Sequence, residues 1–367
     1  MNTTAVAKDR IFNFSAGPAT LPESVLEQAR QDCWNIFDTG IGIMEHSHRG
    51  QAFERVISEA LEDCRKIAGL GDSHEVLFLQ GGASTQFGMV PMSFLPAGKT
   101  ADYIDTGVWT TKAIKEAKRF GDVNIAYDGS GNNYVSIPSA AEMNLTADAA
   151  FLHYCSNNTI FGTRFDAPPQ TSAPLVCDAS SEMFSRPFDF SGHAIIYAGA
   201  QKNLGPSGVV LVIINKEFAE SGNQDVFSMM NYKAMIDGGS RFNTPPTFGI
   251  YMMGQVFKWI LNQGGLAAME KLNNRKAALL YDVLDEVGGF YVGHSEKSCR
   301  STMNVTFRTP NDELDAKFLA EAAEQKMAGL KGHRKVGGIR ASIYNAFPIE
   351  GCELLAGFMK DFAQKNG

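Results

Sequence analysis

Residues 197–210 read YAGAQKNLGPSGVV, and this stretch organises the rest of the chain. The apolar run HAIIYAGA (193–200) leads into it, and GVVLVIIN (208–215) leads out. Both runs are short and apolar at successive positions, as in strands buried on both faces. Between them lies a polar turn with one lysine, Lys202, and a Gly-Pro-Ser-Gly corner. A turn lysine is ordinarily solvated. Held between two buried strands it is disfavoured as an ammonium, its pKa falls, and it becomes a nucleophilic amine.

Working outward, EVLFLQ (75–80), ADYIDT (101–106), VNIAY (123–127), AAFLHYCSN (149–157) and APLVCDA (173–179) are further strand candidates. GGASTQFGMVPMSFL and GVWTTKAIKEAKRF read as helices between them, and a helix ahead of EVLFLQ stops at Gly69. Strands alternating with helices imply an α/β fold with a mostly parallel sheet covered on each side. Pro22 to Phe37 reads as one amphipathic helix, starting at a proline and ending before DTGIG. From residue 250 to about 287 the pattern is helical and long enough to bridge two domains. STMNVTFR, a helix around ELDAKFLAEAAEQK, GGIRASIYN and a helix from Glu350 then suggest a smaller α+β unit. The expected division is 16–260 for a large α/β domain and 261–367 for the small one, with residues 1–15 packing on the latter.

The chain has 367 residues, 44% of them hydrophobic and 20% charged, which suits a globular protein of two domains. A formal charge of -7 argues against sequence-independent nucleic-acid binding, which needs a basic surface. Six scattered cysteines show no metal-like spacing and fit reduced thiols. No signal-like leader and no long apolar run is present, so a cytoplasmic protein without membrane association or a bound metal is expected.

In open α/β sheets ligands bind beyond the C-terminal strand ends. After EVLFLQ come Gly81-Gly82-Ala83-Ser84 at a helix start, a cradle for phosphate or an ordinary glycine turn. Trp109 lies early in the helix after ADYIDT, where it either stacks on a flat ring or packs in the core. Ser156-Asn157-Asn158-Thr159 follows the next strand, and Asp178 ends another. A strand-end Asp near a strand-end Lys is what a pyridoxal phosphate site requires: the lysine holds the aldehyde, the carboxylate keeps the pyridine nitrogen protonated. His48 and Arg49 in one loop, His333 and Arg334 in another, and Arg340 beyond suit a phosphate and a carboxylate.

Taken in order, FNFSAGPATLP, SHR, QGGAS, GVW, SNNTI-x-G, SSEMFSRP, GAQKNLGPSG, RFNTPPT and GHRKVGGIRASIYNAFPIEG resemble the phosphoserine aminotransferase family, within the class-V, fold-type I pyridoxal-phosphate enzymes. The resemblance implies a large domain with a mostly parallel seven-stranded sheet and a small α+β domain. It implies Lys202 as the Schiff-base lysine, Asp178 against the pyridine nitrogen, Trp109 on the ring and Thr159 near its hydroxyl. Ala83, Ser84 and Gln201 would hold the cofactor phosphate, with Asn243 and Thr244 arriving from the second subunit of a homodimer. Arg340 would bind the substrate carboxylate, while His48, Arg49, His333 and Arg334 would surround its phosphate. The implied reaction is ping-pong transamination between glutamate and 3-phosphonooxypyruvate, and a 4-phosphohydroxythreonine precursor of pyridoxine is a further substrate of bacterial members. This chain departs from the family at Asn158, often Glu, and at Ser207, usually Ala.

Two other readings share the fold. A cysteine desulfurase needs a thiol on a loop facing the cofactor, and Cys299 is the candidate. A non-catalytic binder of phosphorylated metabolites would keep the fold without the chemistry.

Overall fold

The computed structural model describes residues 10–367. Residues 1–9 of the segment expected to pack on the small unit lie outside the described residues. The chain runs β1 (Phe12–Asn13), α1 (Glu23–Asp32), α2 (Gln51–Ala68), β2 (His74–Gln80), α3 (Gly82–Phe94), β3 (Thr100–Asp105), α4 (Val108–Ala117) and β4 (Asp122–Asp128). It continues through β5 (Leu152–Cys155), β6 (Leu175–Asp178), β7 (Ile195–Gly199), β8 (Val209–Asn215), α5 (Lys216–Ser221), α6 (Tyr232–Asp237), α7 (Thr247–Asn262) and α8 (Gly265–Glu286). The last part holds β9 (Val292–Gly293), β10 (Asn304–Arg308), α9 (Asp312–Glu324), β11 (Met327–Ala328), β12 (Ile339–Ser342) and α10 (Ile349–Asn366).

Seven strands form one sheet in the order β2-β8-β7-β6-β5-β3-β4. All pairs are parallel except those of β8, which runs against both β2 and β7. The expected mostly parallel seven-stranded sheet is therefore present, with one reversed strand near its edge. That reversal follows from the connection: only residues 200–208 separate β7 from β8, too few for the helical crossover a parallel return needs.

The doubly apolar strands are buried on both sides. On β8, Val209, Leu211 and Ile213 join the cluster beneath α2 and α7, while Val210, Val212 and Ile214 join the cluster under α3 and α4. Strand periodicity puts alternate residues on opposite faces, so each needs its own apolar partner layer. Each such side chain contributes about 1.5–3 kcal/mol on burial.

Two sequence expectations change. The helix expected over 22–37 ends at Asp32, because the Asn35 side chain takes the Gly40 amide at 2.8 Å and folds 35–40 into a loop. The helical stretch after 250 is two helices, broken at Gly264 and Gly265, both with positive φ. Leu266 and Met269 of α8 pack with the sheet, whereas Ala277, Leu280, Val283 and Leu284 pack with a second cluster built on α9, α10, β10 and β12. One helix thus walls both cores. Phe14 also belongs to the second cluster, and β1 pairs with β11. Among the described residues no helix is long and apolar enough to cross a membrane.

Candidate active site

Beyond the C-terminal ends of β5, β6 and β7 lies a cavity of about 460 Å³. A larger surface hollow of about 900 Å³, lined by Phe94, Lys99 and Phe218, holds none of the expected site residues.

Lys202 is 8% exposed and lines the smaller cavity. Its Nζ donates to Thr159 Oγ1 at 2.6 Å. Burial pulls its pKa down to about 8, and Arg340 adds to the fall, while Asp178 and Cys155 oppose it. An amine of that pKa has a far larger neutral fraction near neutral pH than an ordinary lysine, and the neutral form can attack a carbonyl carbon.

Asp178 closes β6 and is 4% exposed. Its Oδ1 accepts from the Ser180 amide at 3.0 Å and the Ser180 hydroxyl at 2.6 Å. Burial pushes the carboxyl above its ordinary pKa, against the pull of Ser180 and Lys202. Ser180 Oγ also accepts the Gly199 amide at 3.0 Å, so the carboxylate is keyed to the end of β7.

Gly81, Gly82, Ala83 and Ser84 form another wall. Gly81 sits at φ 88°, and a Cβ there would fall 1.8 Å from Thr85 Oγ1, so glycine is required. The first-turn amides of α3 have no intrahelical acceptors, which suits an anion. Gln201 and Trp109 complete the wall, and the buried Trp109 Nε1 has no partner. The Lys202 ammonium lies 6.0 Å from the Trp109 ring centroid.

Arg340 on β12 does not line the cavity but touches its wall: its Nη1 donates to Thr159 O at 3.4 Å, and its buried Nε has no partner among the described residues. Burial lowers its pKa. His333 is held below its ordinary pKa by burial first, then by Arg340, Arg334, Lys335 and Lys112, which identifies the cations around it. Of these, Lys335 also faces the Asp105 carboxylate, whose pKa it helps to lower against the rise that burial causes.

Seven expected residues do not line this cavity within one chain: Arg340, His333, Arg334, His48, Arg49, Asn243 and Thr244. Gln80 Nε2 donates to Asn243 Oδ1 and Thr244 O, each at 3.3 Å. Arg241 pairs with Glu54 on α2, so the 241–244 segment and the start of α2 beyond His48 and Arg49 are joined. The buried His48 Nε2 has no partner.

Sequence reasoning assigned no role to Ser180, Cys155 or Gly17, all of which line the cavity. Ser180 stood in the quoted SSEMFSRP segment, and its position two residues after Asp178 was the available signal. Asn158 does not line the cavity. Its amide donates to Thr106 O at 2.6 Å and its carbonyl oxygen accepts from Ile160 and Phe161 amides. Gly107 must be glycine beside it, since a Cβ at φ 152° would lie 2.2 Å from Asn158 Nδ2. Cys299 is 3% exposed, bonds the Val135 and Glu296 carbonyls, and has a thiol pKa pushed up by burial. It is neither a cavity residue nor a ready thiolate, which removes the desulfurase reading.

The class-V aminotransferase profile matches residues 11–355. A phosphoserine aminotransferase of Herpetosiphon aurantiacus is 50% identical over 97% of this chain and 99% of its own length. The solved phosphoserine aminotransferase from Bacillus circulans subsp. alkalophilus is 46% identical, covers 98% of this chain and 100% of its own, and superposes with a TM-score of 0.96. The PLP-bound phosphoserine aminotransferase from Trichomonas vaginalis is 38% identical at a TM-score of 0.91, over 96% of this chain and 100% of its own. A lysine turn, a strand-end aspartate and a glycine-led helix converging on one cavity agree with that kinship, and the chain belongs to the class-V aminotransferase family.

Proposed function

We propose that this chain is a phosphoserine aminotransferase, interconverting 3-phosphonooxypyruvate and glutamate with O-phosphoserine and 2-oxoglutarate in serine biosynthesis. The carrying observation is Lys202: a buried amine with its pKa drawn to about 8, facing a cavity shared with Asp178, with Arg340 bonded to the Thr159 carbonyl at its wall. Full-length relatives near 50% identity carry the same name.

The residues present fit pyridoxal 5'-phosphate. Asp178 offers a buried carboxylate whose Oδ2 receives no hydrogen bond from the described residues, and the first turn of α3 offers free amides beside a required glycine. Lys202 would hold the aldehyde, Asp178 the pyridine nitrogen, and Ala83, Ser84 and Gln201 the phosphate, with Trp109 against the ring and Thr159 by its hydroxyl. When bound, the group supplies an electron sink for charge developing at the substrate's Cα. Arg340 binds the substrate carboxylate bidentately and so orients the Cα hydrogen. Lys202 Nζ takes that proton and returns it on the far side of the reaction as general base and acid. His333 and Arg334 bind the substrate phosphate.

The reading includes a homodimer. Asn243 and Thr244 would serve the partner's cofactor phosphate. Because Arg241 ties their segment to Glu54, His48 and Arg49 would reach the same partner cavity. Trp34, Ile41, Met44 and Phe242 are exposed apolar side chains near these residues in sequence, a surface suited to a second copy. Residues 16–260 and 261–367 are the two units of this reading, with α8 as their shared wall. The six free cysteines suit a cytoplasmic protein. A 4-phosphohydroxythreonine precursor fits the same cation set and is the further substrate to assay.

The test is an absorbance spectrum of the purified protein with and without glutamate. A lysine-bound coenzyme band that glutamate shifts, and that Lys202→Ala lacks, is expected. A protein without the band, unchanged by glutamate, would overturn the reading and favour the non-catalytic binder; a band kept in Lys202→Ala would overturn the lysine assignment.

A further inference from the structure

Helix α8 carries a buried charge that the chemistry above does not use. Lys276 is 0% exposed, and its pKa is drawn down to about 7 by burial, with Cys352 of α10 the only titratable group opposing. Its Nζ instead meets four backbone carbonyls: Tyr344 at 2.6 Å, Ile343 at 3.0 Å, Phe347 at 3.2 Å and Asn345 at 3.3 Å. An ammonium has three protons, so the four oxygens share them. Carbonyl oxygens converging on one point repel each other unless a cation sits at the focus, and their dipoles in turn favour the charged amine.

Those carbonyls belong to the turn that follows β12, the strand bearing Arg340. The turn reaches the lysine segment directly. Asn345 donates its backbone N–H to Asn203 Oδ1 at 3.0 Å, one residue from Lys202. The Asn345 side chain donates to Phe184 O and accepts from Asn273 Nδ2, one turn before Lys276, each at 2.8 Å. Tyr344 donates its hydroxyl to Ala16 O at 2.9 Å. Ala19 in turn donates its amide to Gln201 O at 2.9 Å.

We infer that Lys276 is a positioning residue of the active site: by gathering the carbonyls of residues 343–347, it shapes the turn that fixes Asn203 beside Lys202 and the end of the strand that carries Arg340. The inference rests on Lys202 and Arg340 being the reactive amine and the carboxylate-binding group.

Lys276→Met keeps the apolar stem and removes the charge. In the purified holoenzyme, amide exchange at Asn345 is expected to quicken about tenfold or more while Leu211 in β8 stays protected. The KM for glutamate is expected to rise about tenfold, with a smaller fall in kcat. Asn203→Ala removes the acceptor of the Asn345 amide and leaves the carbonyl cage intact. It should reproduce the KM rise, and the double variant should be no worse than the more impaired single one. Unchanged exchange at Asn345, a rise spread equally to β8, or multiplicative effects in the double variant would overturn the inference. If Lys276→Met does not fold, Asn203→Ala alone decides, since an unaltered KM there is equally fatal. Activity surviving Lys202→Ala refutes the reading of the site instead, and exchange at Asn345 distinguishes the two failures.

Discussion

Lys202 and Arg340 rest on opposite ends of one residue: the ammonium donates to the Thr159 hydroxyl at 2.6 Å, the guanidinium to the Thr159 carbonyl at 3.4 Å. The amine proposed to move the proton and the group proposed to bind the carboxylate are thereby indexed to each other across two separate parts of the chain. Thr159→Val keeps the shape and removes the hydroxyl. The expected result is weaker cofactor retention and a higher KM for glutamate, each by about tenfold, the cost of one buried hydrogen bond to a charged group. Dialysis followed by steady-state kinetics reads both.

The lowered pKa of Lys202 has a sign that can be checked. The folded pKa of about 8 lies below the ordinary 10.5, so between these values the unfolded chain binds more protons. Stability of the cofactor-free protein should therefore rise with pH across that window from this group, and Lys202→Met should flatten the rise. The rate of cofactor uptake should climb through about pH 8 and level off, as the amine loses its proton. A climb that continues to pH 10 would show an amine free of burial.

Burying the Asp178 carboxyl costs the cofactor-free protein stability. Its folded pKa is raised by burial, so its contribution to stability falls as pH rises through the window above the ordinary carboxylate value. Asp178→Asn should raise the melting temperature of the cofactor-free chain by about 2 °C near pH 7. It should also lower kcat on the order of 10²- to 10³-fold, because the pyridine nitrogen loses its anionic partner. Calorimetry and kinetics on the same preparation separate the two effects.

If His48 and Arg49 serve the neighbouring subunit, two inactive variants should complement. Lys202→Ala and Arg49→Ala chains unfolded together and refolded would form mixed dimers in which one site has both residues. About a quarter of the wild-type activity should return on random pairing. If Arg49 acted within its own chain, no mixed dimer would hold a complete site and nothing would return.

The legible part of this protein is where each residue's surroundings are written nearby. Val209 to Ile214 are apolar at every position, and only a strand covered on both faces accepts that pattern. Lys202, Asp178 and Trp109 stood at strand ends or just beyond them, so the topology of an α/β sheet was enough to gather them. What escaped depended on distant partners. The helix from Pro22 stopped at Asp32 because the Asn35 side-chain bond to Gly40 competes with further helical bonds, and nothing in the apolar period records that competition. Ser180 could not be assigned before Gly199 was known to lie beside it. Likewise, Lys276 reads as an ordinary helical lysine, since its acceptors lie about 70 positions further on and are backbone atoms with no side-chain signature.

The pairing of Phe12–Asn13 with Met327–Ala328 carries a consequence for biosynthesis. Strand β1 must wait for a partner made more than three hundred residues later. A nascent chain stalled short of β11 can assemble its central sheet, yet the strap at residues 16–19 remains untethered on its N-terminal side. Coenzyme capture should thus follow the emergence of β11 in the birth of each molecule.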